Sequence, residues 1–172
     1  MSSGRRSRIY LAIDVSLSIG ERHDVRALVA EILAGLATMG SGEVGVIDCR
    51  CLAFGKSPRW LSTSPMALTE LQLSNLRFEG PTALGAALVS LATQVESDVR
   101  ESPDLRPILI LVSDGRSTLD EPDPSLCQVH EIDTPGQVHI AASPSGDSDF
   151  DVLRRFVGDR GPEPFVLPSS AS

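Results

Sequence analysis

The sequence of 172 residues is poor in positive charge. Its 15 lysines and arginines are outnumbered by 23 aspartates and glutamates, the formal net charge is −8, and Lys56 is its one lysine. Nucleic-acid binding needs clustered Lys and Arg to neutralise phosphates, so this composition argues against a nucleic-acid-binding protein. A negative chain accommodates a cationic partner or a bound metal ion more readily.

Long apolar runs are also lacking. No segment approaches the roughly 20 apolar residues that are needed to cross a bilayer. The apolar run 9–13, which follows Arg5, Arg6 and Arg8, is too short for the core of a signal peptide. We therefore expect a cytoplasmic protein that does not interact with membranes.

Cysteine is scarce, and the number of cysteines is odd. Two of the three, Cys49 and Cys51, are two residues apart on a predicted strand and therefore share one of its faces. That geometry suits half of a zinc site, but no second pair or nearby histidine completes one. We expect reduced thiols that are buried or half-buried.

Apolar periodicity predicts strands that alternate with helices. Strands are predicted over 9–13, 43–54, 108–112, 137–142 and 164–167, with a short edge strand over 59–63. Helices are predicted over 21–39, 83–99 and 150–157, and one or two helical turns over 66–73.

This alternation indicates an α/β protein with a three-layer, doubly wound, Rossmann-like fold. Its central sheet should be mostly parallel, with one antiparallel edge strand. We expect a single domain over 9–167, flanked by a flexible N-terminus (1–8) and a flexible tail (168–172). The segment 118–136 carries three prolines and should be irregular, with Asp120, Glu121 and Asp123 facing solvent.

Polar side chains follow two of the predicted strands. Asp14, Ser16 and Ser18 follow the first, Asp114 follows the strand 108–112, and Thr82 lies in the loop that opens a helix. Each has an ordinary structural reading as a turn residue or helix cap. In a parallel sheet, however, the carboxyl ends of strands form the ligand site. Two carboxylates and three hydroxyls are hard oxygen ligands, which Mg²⁺ prefers.

The order and spacing of these residues resemble the von Willebrand factor A family and its metal-ion-dependent adhesion site. The family pattern is Asp-x-Ser-x-Ser after the first strand, a Thr in a Gly-containing loop before a helix, and Asp-Gly after the fourth strand. The five positions are filled here by Asp14, Ser16, Ser18, Thr82 and Asp114. The resemblance implies that Ser16, Ser18 and Thr82 contact the ion directly or nearly so. Asp14 and Asp114 would bind it directly or through water.

The same resemblance implies a bound Mg²⁺, with Mn²⁺ or Ca²⁺ as alternatives. Residues 82–86 and 111–115 look like those of bacterial TerY-type members, which are associated with tellurite-resistance, stress and phage-defence gene clusters. Two features depart from the family: position 17 is Leu where many relatives have Gly, and the irregular segment 118–136 replaces a usual helix.

Two classes of function remain open. The first is a non-enzymatic interaction module, in which a partner protein supplies an Asp or Glu to the metal and no small-molecule substrate is bound. By the resemblance, the partner is a kinase, a phosphatase or an AAA+ ATPase of the same system. The second is a metal-dependent phosphatase or phosphoacceptor on a similar sheet.

The sequence favours the interaction module. Haloacid-dehalogenase phosphatases need a second Asp where this chain has Ser16, and receiver domains need a late Lys, whereas Lys56 lies early. We find no nucleophile or general base beyond the predicted ligands.

Overall fold

The computed structural model describes residues 6–16, 27, 29–32, 34–35, 47–67, 70–71, 76–78, 80–123, 138–143, 149–158 and 163–166. Within these residues the strands are β1 (Ser7–Asp14), β2 (Ile47–Phe54), β3 (Pro58–Trp60), β4 (Met66–Ala67), β5 (Arg106–Val112), β6 (Val138–Ser143) and β7 (Phe165–Val166). The helices with defined ends are α1 (Leu84–Glu101) and α2 (Phe150–Val157). Residues 29–32 are also helical and lie inside the predicted helix 21–39, whose ends fall outside the described residues.

One sheet joins all the strands, in the order β3-β2-β1-β5-β6-β7, with β4 also paired to β2. Strands β1, β2, β5, β6 and β7 are parallel to one another, which confirms the predicted mostly parallel sheet. The chain passes from β1 to β2 on one side and later places β5 on the other side. Strand order therefore reverses at β1, where sheets of this class bind ligands.

The antiparallel edge differs in detail from the prediction. It consists of two short strands rather than one, because both β3 and β4 pair antiparallel with β2. The predicted helical turns over 66–73 are wrong at their start, since Met66 pairs with Cys49 in the sheet. Met66 packs on the core beside β2, and this tertiary contact outweighs its local helical preference.

Apolar side chains from both faces of the sheet form the core, which accounts for the three layers. On one face, Tyr10 and Ala12 of β1 pack with helices α1 and α2. On the other face, Ile9, Leu11 and Ile13 pack with Val29 of the first helical segment. Because β1 is covered on both sides, all eight of its residues are buried.

The first strand begins earlier than predicted. Ser7 and Arg8 belong to β1 and are buried, so the strand starts two residues before the predicted 9–13 and inside the stretch 1–8 that was expected to be flexible. Residues 1–5 lie outside the described residues. Arg8 is fixed because its Nε donates to Asp48 Oδ1 at 2.7 Å. The predicted flexible tail, 168–172, lies outside the described residues.

Three further predictions concern the segment 118–136, the cysteines and membrane-spanning helices. Residues 118–123 contain no helix or strand, as expected, and 124–136 lie outside the described residues. Cys49 and Cys51 are free and buried, and burial raises the pKa of their thiols to about 11 and about 12. Both thiols therefore stay protonated at neutral pH. No helix in the described part of the chain is long and apolar enough to span a membrane.

Candidate metal centre

Asp14, at the end of β1, is a fully buried carboxylate. Its Oδ1 accepts the Ser16 backbone N–H at 2.9 Å, and its Oδ2 accepts the Ser113 hydroxyl at 3.1 Å. None of the described Lys or Arg side chains forms an ion pair with it. Burial raises the pKa of Asp14 to about 6, with a further contribution from Asp114 and against the hydrogen bonds from Ser16 and Ser113.

The turn after β1 is built on this carboxylate. The Val15 N–H still donates to Phe54 of β2, at 2.9 Å, so the sheet continues for one residue beyond Asp14. The chain then folds back, and the Ser16 N–H donates to the Asp14 side chain instead. Ser16 is buried beside it, with 1% of its surface exposed. Ser18, the third residue of the predicted motif, lies outside the described residues.

Asp114 reaches the same edge of the sheet from the neighbouring strand. Because Ile13 pairs with Val112, the residues that follow β1 and β5 emerge side by side. Asp114 is half-buried, and its Oδ1 accepts the Arg116 N–H at 2.9 Å. Its charge raises the pKa of Asp14, as expected of two carboxylates that share a cavity. The strands that lead to Asp14 and Asp114 are therefore neighbours in the sheet.

Ser113 and Gly115 hold this second turn. The Ser113 hydroxyl accepts the Gly115 N–H at 3.1 Å while it donates to Asp14, so one buried oxygen joins the two strand ends. Gly115 has φ +78°, and a Cβ there would lie 2.5 Å from the Asp149 carbonyl oxygen. Only glycine fits at this position.

Hydrogen bonds to its backbone hold the loop of Thr82 in place from two sides. Thr82 is buried, its N–H donates to Thr118 Oγ1 at 2.8 Å, and its carbonyl accepts the Thr118 N–H at 3.0 Å. On the other side, the Ala83 N–H donates to the Gly55 carbonyl at 2.7 Å. The loop is therefore anchored both to the end of β2 and to the segment that follows Asp114.

Asp120 secures the helix that Thr82 precedes. Helix α1 has no side-chain cap of its own. Instead, the Asp120 carboxylate accepts the Gly85 N–H at 2.8 Å and the Ala86 N–H at 2.9 Å. Burial alone would raise the pKa of Asp120, but these bonds and one from Ser117 lower it.

Two features of Asp120 were missed from the sequence. It was expected to face solvent, yet it is half-buried against α1. A Cβ at Gly85 would lie within 2.7 Å of its carboxylate, so that glycine in the first helical turn makes room for it. The pairing joins residues 35 positions apart. A helix that begins without a capping residue was the available signal that a cap comes from elsewhere.

The structure thus brings Asp14, Ser16 and Asp114 to one edge of the sheet and ties the loop of Thr82 to it. The donor set consists of hard oxygens, which suit a divalent cation such as Mg²⁺. Among the described residues, no three His, Cys, Asp or Glu side chains form a cluster, so a cation here would depend on hydroxyls as well as on the two carboxylates. Asp14 suits such an ion because it is buried and pairs with none of the described Lys or Arg side chains.

Comparisons with known proteins establish the fold. No family model matches the chain, and no curated protein matches it. Among solved structures, a von Willebrand factor type A protein from Catenulispora acidiphila is similar, with 15% identity and a TM-score of 0.66 over 95% of this chain and 39% of that one. Proximal thread matrix protein 1 from the mussel byssus, with a zinc-occupied metal-ion-dependent adhesion site, gives 14% identity and 0.65 over 96% and 42%.

Manganese-loaded TRAP protein from Plasmodium vivax is also similar, with 17% identity and a TM-score of 0.61 over 95% of this chain and 68% of that one. At these identities the likeness shows the fold, and the chain has the von Willebrand factor A fold. It spans less than half the length of the bacterial and mussel proteins.

Proposed function

We propose that this chain is a metal-dependent protein-interaction module. A divalent cation held by Asp14, Ser16, Ser18, Thr82 and Asp114 would bind an Asp or Glu side chain of a partner protein. The observation that carries the proposal is the buried Asp14 carboxylate, which accepts hydrogen bonds from neutral donors, lies near a second carboxylate and pairs with none of the described Lys or Arg side chains.

The charges of the ligands explain why a partner's carboxylate is accepted. Two carboxylates balance a divalent ion, whereas the hydroxyls of Ser16, Ser18 and Thr82 add no charge. When bound, the cation supplies a Lewis-acidic centre with at least one position of its octahedral shell left to water or to an incoming oxygen. Without the cation, the same edge would repel an acidic partner.

We propose Mg²⁺ as the cation, with Mn²⁺ or Ca²⁺ as alternatives, because every ligand is a hard oxygen. The zinc-occupied and manganese-loaded structures of similar fold support a divalent ion at this edge in general.

We also propose that the module is not an enzyme and takes no small-molecule substrate. The Ser113 hydroxyl, which lies beside Asp14, is 0% exposed, donates to Asp14 and accepts from Gly115. A nucleophile must reach its substrate, and this oxygen is enclosed by the protein.

The proposed setting is the bacterial cytoplasm, in a stress or defence system like that of the TerY-type proteins. The likeness of residues 82–86 and 111–115 to those proteins supports it, and so do two buried thiols that stay reduced. A protein kinase, a phosphatase or an AAA+ ATPase of the same system is the proposed partner.

Calorimetric titration with Mg²⁺ and Mn²⁺ tests the site. The parent should bind either ion, and Asp14→Ala and Asp114→Ala should remove binding while the fold persists. Asp104→Ala is the matched control, because Asp104 is an exposed acid in the turn between α1 and β5. Unchanged affinity in Asp14→Ala would contradict the site.

Affinity capture from a bacterial lysate, with Mg²⁺ or with EDTA, tests the mode of binding. A partner that is retained only with Mg²⁺, and that is lost in Thr82→Ala, supports the proposal. A partner that is retained equally in EDTA uses another surface.

A further inference from the structure

An open cleft of about 180 Å³ lies next to the candidate metal centre and is unusually basic for this chain. Three of its lining residues are cationic, although the net charge of the protein is −8. The cleft is lined by Val15, Ala53, Gly55, Lys56, Ser57, Arg59 and Arg77.

The three cationic side chains of the cleft are exposed and pair with no acid among the described residues. Most other described arginines are paired: Arg50 with Asp98 at 2.8 Å and Arg100 with Glu96 at 2.8 Å are examples. By contrast, Lys56, Arg59 and Arg77 form no ion pair or hydrogen bond through their side chains in the part of the chain that the structure describes. Their positive charge is available to a ligand.

The cleft is continuous with the backbone that carries the proposed metal ligands. Val15, in its wall, lies between Asp14 and Ser16, and its N–H donates to Phe54 at the end of β2. Gly55, also in the wall, accepts the N–H of Ala83, the residue after Thr82. Since β1 and β2 are neighbours, their ends are about 5 Å apart. One ligand can therefore touch both places.

We propose that the cleft binds a second carboxylate from the same partner segment whose first acidic side chain binds the metal. This inference rests on the proposed function. An extended segment places residues i and i+2 on one face, about 7 Å apart, which suits sites on adjacent strand ends. The recognised element is therefore acidic-x-acidic, with one acid on the cation and the other among Lys56, Arg59 and Arg77.

The single lysine gives a direct reporter. Labelling with lysine enriched in ¹³C at Cε gives one resonance, that of Lys56, and peptide titrations can be followed on it. The probes are acetylated, amidated tripeptides: Glu-Ala-Glu, and the two single-acid peptides Glu-Ala-Gln and Gln-Ala-Glu. In Mg²⁺ the two-acid peptide should shift the resonance and bind about fivefold to tenfold more tightly than either control, as expected of a few exposed ion pairs.

The variant K56Q/R59Q/R77Q should lose this preference and still bind the single-acid peptides when Mg²⁺ is present, which calorimetry measures. The matched control R100Q/R154Q/R155Q removes the same number of charges from the exposed faces of α1 and α2, and it should keep the preference. Thermal unfolding checks that both variants fold.

The outcomes separate the two proposals. Equal, Mg²⁺-dependent binding of all three peptides would overturn the cleft and leave the metal function standing. A two-acid preference that persists in EDTA and disappears in K56Q/R59Q/R77Q would support the cleft and contradict the metal function. A preference that is lost equally in both triple variants would reflect net charge alone and would overturn the cleft.

Discussion

Two buried aspartates in this fold, Asp98 and Asp14, lie in opposite electrostatic environments. Asp98, on α1, is 3% exposed and accepts hydrogen bonds from Tyr10 at 2.7 Å and from Arg50 at 2.8 Å, and it pairs with Arg8 at 3.1 Å. Asp14, at the end of β1, is 0% exposed, accepts hydrogen bonds from the Ser16 N–H and the Ser113 hydroxyl, and pairs with none of the described Lys or Arg side chains.

The pKa values of the two carboxyl groups move in opposite directions. Burial acts on both and favours the neutral acid. At Asp98 the hydrogen bonds from Tyr10, Arg50 and Gln94 outweigh burial, and its pKa is lowered. At Asp14 none of the described Lys or Arg side chains opposes burial, and its pKa rises to about 6. Among the described residues, cationic side chains balance the charge of Asp98, whereas none pairs with Asp14.

The largest expected effect comes from removing the compensated charge. Asp98→Ala leaves the Arg50 guanidinium without its carboxylate partner and the buried Tyr10 hydroxyl without its acceptor, and it should lower the free energy of unfolding by about 3 to 5 kcal/mol. Urea unfolding at neutral pH measures it, with Asp104→Ala as the exposed control. A loss below about 1 kcal/mol would mean that the network around Asp98 contributes little, and the contrast with Asp14 would fail.

The contrast also shows what the sequence reveals. Asp14 and Asp114 were predicted as site residues because strand ends are local features: each follows a short apolar run that is visible by itself. Asp98 was not singled out, because its burial depends on Tyr10, 88 residues away along the chain, and on Arg50, 48 residues away. Such long-range contacts produce no periodic pattern in the sequence.

The same limit applies to the fold and the site. The parallel strands and α1 followed from runs and stripes of apolar residues, and their predicted ends were close to those observed. The short strand at Met66 was missed because it exists only through pairing with β2. The loop of Thr82 was predicted, but its anchors at Thr118 and Asp120 depend on the tertiary structure.

Removing the charge of Asp14 should have the opposite effect and stabilise the folded protein. In metal-free protein at pH 7.5, Asp14→Asn should raise the free energy of unfolding by about 2 to 3 kcal/mol, since the folded-state pKa of about 6 exceeds the ordinary aspartate pKa of 3.8. A raised carboxyl pKa stabilises the parent at low pH, and that stability is lost as pH rises from about 4 to about 6. The variant should lack this slope, so the difference should vanish near pH 4. Urea unfolding across this range, in EDTA, checks both expectations.

Binding of a divalent cation beside Asp14 should also stabilise the parent protein. Mg²⁺ at ten times its Kd should raise the free energy of unfolding by about 1.4 kcal/mol, as linkage requires of a ligand that binds only the folded state. Asp14→Asn should respond little, because it lacks one carboxylate. Thermal unfolding with and without Mg²⁺ measures the effect. An equal shift in parent and variant would place the bound ion elsewhere.

The smallest effect concerns Asp120, a third carboxylate that is stabilised by backbone N–H groups rather than by a cation. Asp120→Ala should cost about 1 kcal/mol at neutral pH, as loss of a helix cap does. Because the pKa of Asp120 is lowered in the folded protein, its contribution to stability should be complete above the ordinary aspartate pKa of 3.8 and fall as pH drops below it. The Mg²⁺ affinity should fall as well, since Asp120 holds the start of α1 and Ser117 beside the loop of Thr82.

Glu121→Ala removes an exposed acid one residue further on. It is the matched control and should change neither stability nor affinity. If both variants lower the affinity alike, the negative charge of the segment matters and the anchoring by Asp120 does not.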